Sequence, residues 1–329
     1  MTSQIESASA PILDAQLSEP TPDKDEQKTF ETFWRSLRAR QDTLLLIRQL
    51  TQMVTAVQLH RGMSMSLLAG SEYFGEEIEQ LQSQLRHQLT ALEVFVEETG
   101  ELLSDRDKEC LHQAWRTITH DWRDDDVLDN FELHSHFVEE LLNMISRLSD
   151  ELKLPLSDQL ISEQEHESTV TYPHSFKQLE LLNFVAQQLP KVIEQLAKIR
   201  GLSSHAASIG RVEYQLDRKL RYLIESVRIQ NEKLRHQSSR LETIINEEYR
   251  SLSDVKLFEI KLIFLFGRLE DELLGGQGAD VDGPQLFKLC TEVINIYSKI
   301  ADEGWQLVRR WIDYDAERWI HLQSTAASS

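Results

Sequence analysis

An arginine stands inside the apolar stripe of a helix, and the chain does this twice. Counted by threes and fours, one stripe reads Ile47, Leu50, Val54, Val57, Arg61, Ser64, Leu68, and another reads Ala186, Leu189, Ile193, Leu196, Arg200, Ser203, Ala207. Each carries an Arg-Gly pair followed by an apolar residue and a serine, as Arg61-Gly62-Met63-Ser64 and Arg200-Gly201-Leu202-Ser203, in one register. Residues on such a stripe face the interior of a helical assembly. A buried guanidinium without a compensating group is costly. Three and four residues away on the same helix stand Val57, Gln58, Ser64 and Met65 around Arg61, and Leu196, Ala197, Ser203 and Ser204 around Arg200, with no carboxylate among them. The compensation must come from another helix or from a bound anion.

Long stretches with this three-and-four spacing dominate, few glycines and prolines interrupt them, and no run reads as a strand. The fold class expected is all-α. With 329 residues and the motif present in both halves, the simplest organisation is two consecutive four-helix bundles related by an internal repeat. The copies are too far apart in sequence for a solenoid of small repeats.

Residues 1–27, with Pro11, Pro20, Pro22 and scattered acids, read as a disordered tail. The first bundle is expected over 28–152, with helices near 28–69, 73–98, 105–123 and 126–152, broken at Gly70, Gly100 and Asp124-Asp125-Asp126. Residues 153–172 are polar and read as a linker. The second bundle is expected over 173–323, with helices near 173–208, 212–247, 253–274 and 284–323, and 324–329 as a tail. Pro190 should kink its helix or restart it after a short break.

The formal charge of −20 argues against general nucleic-acid binding, which needs a clustered basic surface. It leaves room for a small anion, because exposed charges are screened over roughly 8 Å at physiological salt and a closed pocket sets its own potential. Apolar runs such as Leu44 to Ile47 and Leu262 to Phe266 fall short of the roughly 20 residues that span a bilayer. The amino terminus lacks the pattern of a secretion signal. Two lone cysteines, Cys110 and Cys290, suit a reducing compartment, so a cytoplasmic location is expected.

The candidate anion-binding residues are Arg61 and Arg200, with Ser64 and Ser203 as hydroxyl donors one turn on. A guanidinium presents a planar fork of donors that matches nitrate, nitrite or a carboxylate, and the glycine after each arginine lets another backbone approach closely. The plain structural alternative is that each arginine pairs with a carboxylate of a neighbouring helix while the small residues permit tight packing.

No metal is expected. His134 and His136 point to different faces of one helix, His112 and His120 lack a ligand between them, and capping or exposed histidines are the simple reading. No phosphate loop, nucleophile elbow or acid and base pair suggests an enzyme, and no cofactor is implied. Trp305, Trp311 and Trp319 along the last helix read as core and interface packing.

His60-Arg61-Gly62-Met63-Ser64 with Gly70 and Phe74, then His134 with Leu141-Leu142, and Arg200-Gly201 resemble the nitrate- and nitrite-sensing domain family over about residues 30–322. The resemblance implies two four-helix bundles with an arginine-lined anion site between them, and carries that role onto Arg61 and Arg200. A further basic residue of the site stays open between Arg250, Lys261 and Arg268. Members commonly join the sensor to an output module, and nothing of that kind fits after His321. The resemblance therefore implies a stand-alone receptor for nitrate or nitrite that signals through a partner protein, as a monomer or as a homodimer. The rival expectation is a helical adaptor or dimerisation scaffold without a ligand.

Overall fold

The computed structural model describes residues 24–326 except 101, 155, 157–171, 246–247 and 276–280. The expected tail at 1–27 thus lies almost wholly outside the described residues, as do most of the 153–172 linker and residues 327–329. Among the described residues the chain is all helix, with no strand. Its long helices are α1 (Lys24–Leu68), α2 (Gly75–Thr99), α3 (Asp105–Thr119), α4 (Val127–Glu151), α5, α6 (Tyr214–Ile245), α7 and α8 (Gly283–Ala326). Helix α5 runs His174–Asn183, passes through a π-helical turn at Phe184–Gln188 and continues as Leu189–Ile209. Helix α7 runs Asp254–Arg268 and ends in a second π-helical turn, Leu269–Leu273.

The helix ends follow local chemistry. Gly70, Gly100 and Gly210 take positive φ angles of 86°, 66° and 65° after α1, α2 and α5, a region where a side chain is strained. Ser104 and Asp107 form a reciprocal capping box at the start of α3, and the Asp126 carboxylate accepts from the Leu128 N–H at the start of α4. Pro190 does not break α5; it stands in the first turn of the Leu189–Ile209 segment, directly after the π-helical turn. In the π-helical segment before it, the Leu189 N–H donates to the Phe184 carbonyl five residues back, a widened turn that accommodates the proline ring.

Helix α1 packs along α4 and α2, helix α5 along α8 and α6, and α1 and α5 pack against each other. One continuous apolar core runs through all of them. From Glu194 to Ala207 almost every residue of α5 is buried, so this segment is a central helix enclosed on all sides rather than an amphipathic surface helix. At its crossing with α1 the two motif glycines meet. A Cβ on Gly201 would lie 3.6 Å from the Gly62 Cα and 2.9 Å from Met65 Sδ, and one on Gly62 would lie 2.7 Å from Phe287 Cε2. Helix α8 contributes tryptophans to this core. Trp319 stacks on Phe33 of α1 at 3.7 Å between centroids, and the buried Trp311 donates from Nε1 to Glu248 at 2.9 Å.

Gly304 of α8 is a second close approach. A Cβ there would collide with Val185 Cγ1 and would stand 2.8 Å from Tyr249 Oη, whose hydroxyl is fixed on the Ile300 carbonyl. Gly304→Ala is expected to cost about 1–3 kcal/mol by overpacking, although alanine is the better helix former. A shift of the urea midpoint to lower concentration at unchanged slope reads this out.

Candidate functional site

Both motif arginines are buried, Arg61 at 0 % and Arg200 at 2 % exposure. Their surroundings correspond in shape and differ in charge. Arg61 lies over the Phe131 ring of α4, 5.4 Å from guanidinium carbon to centroid, and donates from Nη1 to Ser135 Oγ at 3.0 Å, one turn beyond that phenylalanine. Arg200 lies over the Phe287 ring of α8 at 4.8 Å and donates from Nη1 to Thr291 Oγ1 at 3.1 Å, again one turn beyond. In both helices the hydroxyl donates back to the phenylalanine carbonyl, Ser135 to Phe131 at 2.7 Å and Thr291 to Phe287 at 2.8 Å. Each hydroxyl is thereby oriented with a lone pair free to receive the guanidinium.

The difference is Glu194 of α5. Its carboxylate fills the fork of Arg61, accepting from Nη1 at 2.7 Å and Nη2 at 3.1 Å, and Gln58 Nε2 donates to it at 2.9 Å. The two-pronged geometry is the strong form of such a pair. Arg200 has no carboxylate within ion-pair distance among the described residues. Its Nη2 donates to the Gln58 main-chain carbonyl at 2.9 Å, so Gln58 touches both halves of the cluster. Burial lowers the Arg200 pKa to about 10, with Cys290 and Glu194 opposing the shift and Arg61 adding to it. It is therefore still a cation at neutral pH, held in the interior by neutral acceptors. The Nε atoms of both arginines are buried without a hydrogen-bond partner.

The two serines do not point donors at open space. Ser64 Oγ donates to Asn130 Oδ1 at 2.7 Å and lies 3.0 Å from the Arg61 carbonyl, and Ser203 Oγ donates to the Arg200 carbonyl at 3.3 Å. Of the basic residues left open, Arg268 is engaged by Glu272 at 2.6 Å on its own helix, and Lys261 is exposed on α7. Arg250 lines a surface cleft of about 490 Å³ with Lys299, Asp302 and Arg310.

The reading of the histidines as capping or exposed groups is corrected at three positions: His205 is buried with Nδ1 2.9 Å from the Met65 carbonyl, and His60 and His134 form a buried pair. His60 and His134 are both fully buried and touch, His60 Nδ1 to His134 Nε2 at 2.7 Å. Their proton positions follow from the neighbours. His134 Nδ1 faces the Asn130 carbonyl at 2.7 Å, which only accepts, so that nitrogen carries a proton and its Nε2 accepts from His60 Nδ1–H. His60 Nε2 is then the acceptor for Gln82 Nε2 at 2.9 Å. Trp115 and Trp122 close around His60 edge-on. Burial pushes the His60 pKa down to about 3, and burial with the nearby His60 and Arg61 holds His134 well below its usual value, so both rings are neutral. The signal was present in the sequence. His60 lies three after Val57, and His134 three after Phe131 and four before Val138, on the apolar faces of their helices.

No protein-family model, no curated protein and no solved structure matches this chain.

Proposed function

We propose that the chain is a receptor for a small planar oxyanion such as nitrate or nitrite, bound beside Arg200 where α1, α5 and α8 meet. The observation that carries this reading is a fully buried guanidinium whose hydrogen-bond partners among the described residues are a hydroxyl and a main-chain carbonyl, with no carboxylate in ion-pair distance. Its lowered pKa corresponds to roughly 3 kcal/mol against the cation. A bound monoanion would relieve that penalty. Arg61 belongs to the same cluster as a second positive charge, with its fork already filled by Glu194.

The corresponding cradles support a duplicated plan of two four-helix bundles. Arg61 over Phe131 and Ser135 matches Arg200 over Phe287 and Thr291, each pairing the Arg-Gly helix of one half with the last helix of that half. In this reading the two Arg-Gly helices form the seam between the halves, and a ligand there would favour one packing of α1 on α5 over another. Such differential affinity is what a signal to a partner protein requires.

The test is thermal unfolding in nitrate or nitrite against chloride at equal ionic strength. A specific ligand at about 100 times its dissociation constant adds roughly 2.7 kcal/mol. The selective shift is expected in the wild type and lost in Arg200→Met, whereas an equal response to all salts counts against a receptor.

Two observations favour the alternative, a helical scaffold. The Arg61–Glu194 pair is complete without a ligand, and α7 presents an exposed apolar row of Ile260, Ile263 and Phe264 suited to a protein partner. Among the described residues no helix is long and apolar enough to cross a membrane.

A further inference from the structure

We infer that Glu194 sets the valence of the anion accepted beside Arg200: with its carboxylate on Arg61, the buried cluster carries one net positive charge, which selects a monovalent oxyanion over a divalent one. This rests on the receptor reading above and assigns to Glu194 a specificity role that the Arg-Gly motif does not contain.

The net charge follows from the ionisable groups packed around the cluster; Lys219 of α6, 4.3 Å over the Phe131 ring, is balanced by its ion pair with Glu132 of α4. Helix α1 brings Arg61 and α5 brings Arg200, both buried cations, and α5 also brings the buried carboxylate of Glu194. Lys198, one turn further along α5, stands 3.7 Å from Glu194 Oε1 and 3.2 Å from Glu139 Oε1 of α4, so this lysine is balanced at the rim by Glu139. His60 and His134 of α1 and α4 add nothing, because neither imidazole holds a second proton at neutral pH. Cys290 of α8 adds nothing either, since burial pushes its thiol up to about 12 and keeps it protonated. Two guanidiniums and one carboxylate remain.

In a water-poor interior an uncompensated charge is expensive and interactions between charges are strong. A monovalent anion brings the cluster to neutrality. A sulfate would leave it with one negative charge in excess, and would be refused even though its oxygens can also accept from a guanidinium. Donor capacity is not limiting, because the buried Nε atoms of Arg61 and Arg200 both lack partners. What discriminates is charge, and the residue that lowers it from two to one is Glu194.

The experiment measures the thermal unfolding of the full chain with sodium nitrate and with sodium sulfate, titrated at constant ionic strength against chloride. It compares the wild type, Glu194→Gln, and the double variant Arg61→Met with Glu194→Met. The wild type should bind nitrate at least tenfold more tightly than sulfate. Glu194→Gln, with two net charges, should narrow that ratio at least tenfold or invert it. The double variant removes a whole ion pair and returns the cluster to one net charge, so it should keep the wild-type ratio, and it is the variant to rely on if Glu194→Gln does not fold. Nitrate binding with the same nitrate-to-sulfate ratio in Glu194→Gln overturns the role of Glu194 while leaving the receptor reading intact, as does a double variant that prefers sulfate. No selective response to either anion in any of the three proteins removes the receptor reading itself, and this inference with it.

Discussion

Glu194→Ala is expected to lower the free energy of unfolding by about 3–5 kcal/mol, the range found when one partner of a buried ion pair is deleted. The cause is less the lost attraction than the group left behind. Arg61 is fully enclosed, and without the carboxylate its Nη1 keeps only Ser135 while its Nη2 and the Gln58 amide lose their acceptor. Arg200 next to it offers no relief, being itself a cation without a carboxylate partner among the described residues. Removing both ends behaves differently, because a buried pair replaced by apolar residues of similar volume is often neutral or stabilising. Arg61→Met with Glu194→Met should therefore recover most of the loss. Urea unfolding of the wild type, Glu194→Ala and the double variant gives the comparison, and a loss below about 1 kcal/mol for Glu194→Ala would mean that water reaches the pair.

Acidification below pH 6.5 is expected to destabilise the fold through the buried imidazole pair. An unfolded chain takes up a proton at each histidine near pH 6.5, whereas folded His60 refuses one until about pH 3. A depressed histidine pKa therefore contributes stability that is present above pH 6.5 and is lost as the pH falls. His60 alone accounts for about 1.4 kcal/mol per pH unit in this window, or about 2 kcal/mol at pH 5. His134, held well below its usual value, acts in the same direction, and His205 and His174, also lowered, add to it. Asp302 and Asp315 oppose the trend. Burial raises both, so the folded state takes up their protons earlier than the unfolded chain does. The geometry explains why the pair cannot simply charge. With Nδ1–H of His60 on Nε2 of His134 and Gln82 donating to the far nitrogen, an added proton sets one N–H against another. Unfolding free energies at pH 7 and pH 5 should differ by at least the His60 contribution, and His60→Gln should flatten the profile by about one proton. A flat profile in the wild type would show that the pair opens to solvent.

Much of the architecture was legible from periodicity and punctuation. The eight helical stretches follow the three-and-four spacing, Gly70 and Gly100 stop helices because their positive φ angles suit no side chain, and Asp126 begins α4 by capping it. Pro190 announced a disturbance without its form, since a widened turn and a break answer the same steric conflict. Membership of an apolar stripe also determined that Arg61 and Arg200 would be buried, and by the same rule that His60 and His134 would be too.

What surrounds those groups was decided by tertiary structure alone. Glu194 lies on the same helix as Arg200 but serves Arg61 of α1, and Ser135 and Thr291 reach the guanidiniums from α4 and α8. Helical spacing relates only residues three or four apart on one helix. Which carboxylate meets which arginine depends on how α1 crosses α5 at Gly62 and Gly201, a contact set by packing between distant segments. The sequence therefore determined that two charges must enter the interior, and only the folded chain decided that one would be neutralised and the other left positive.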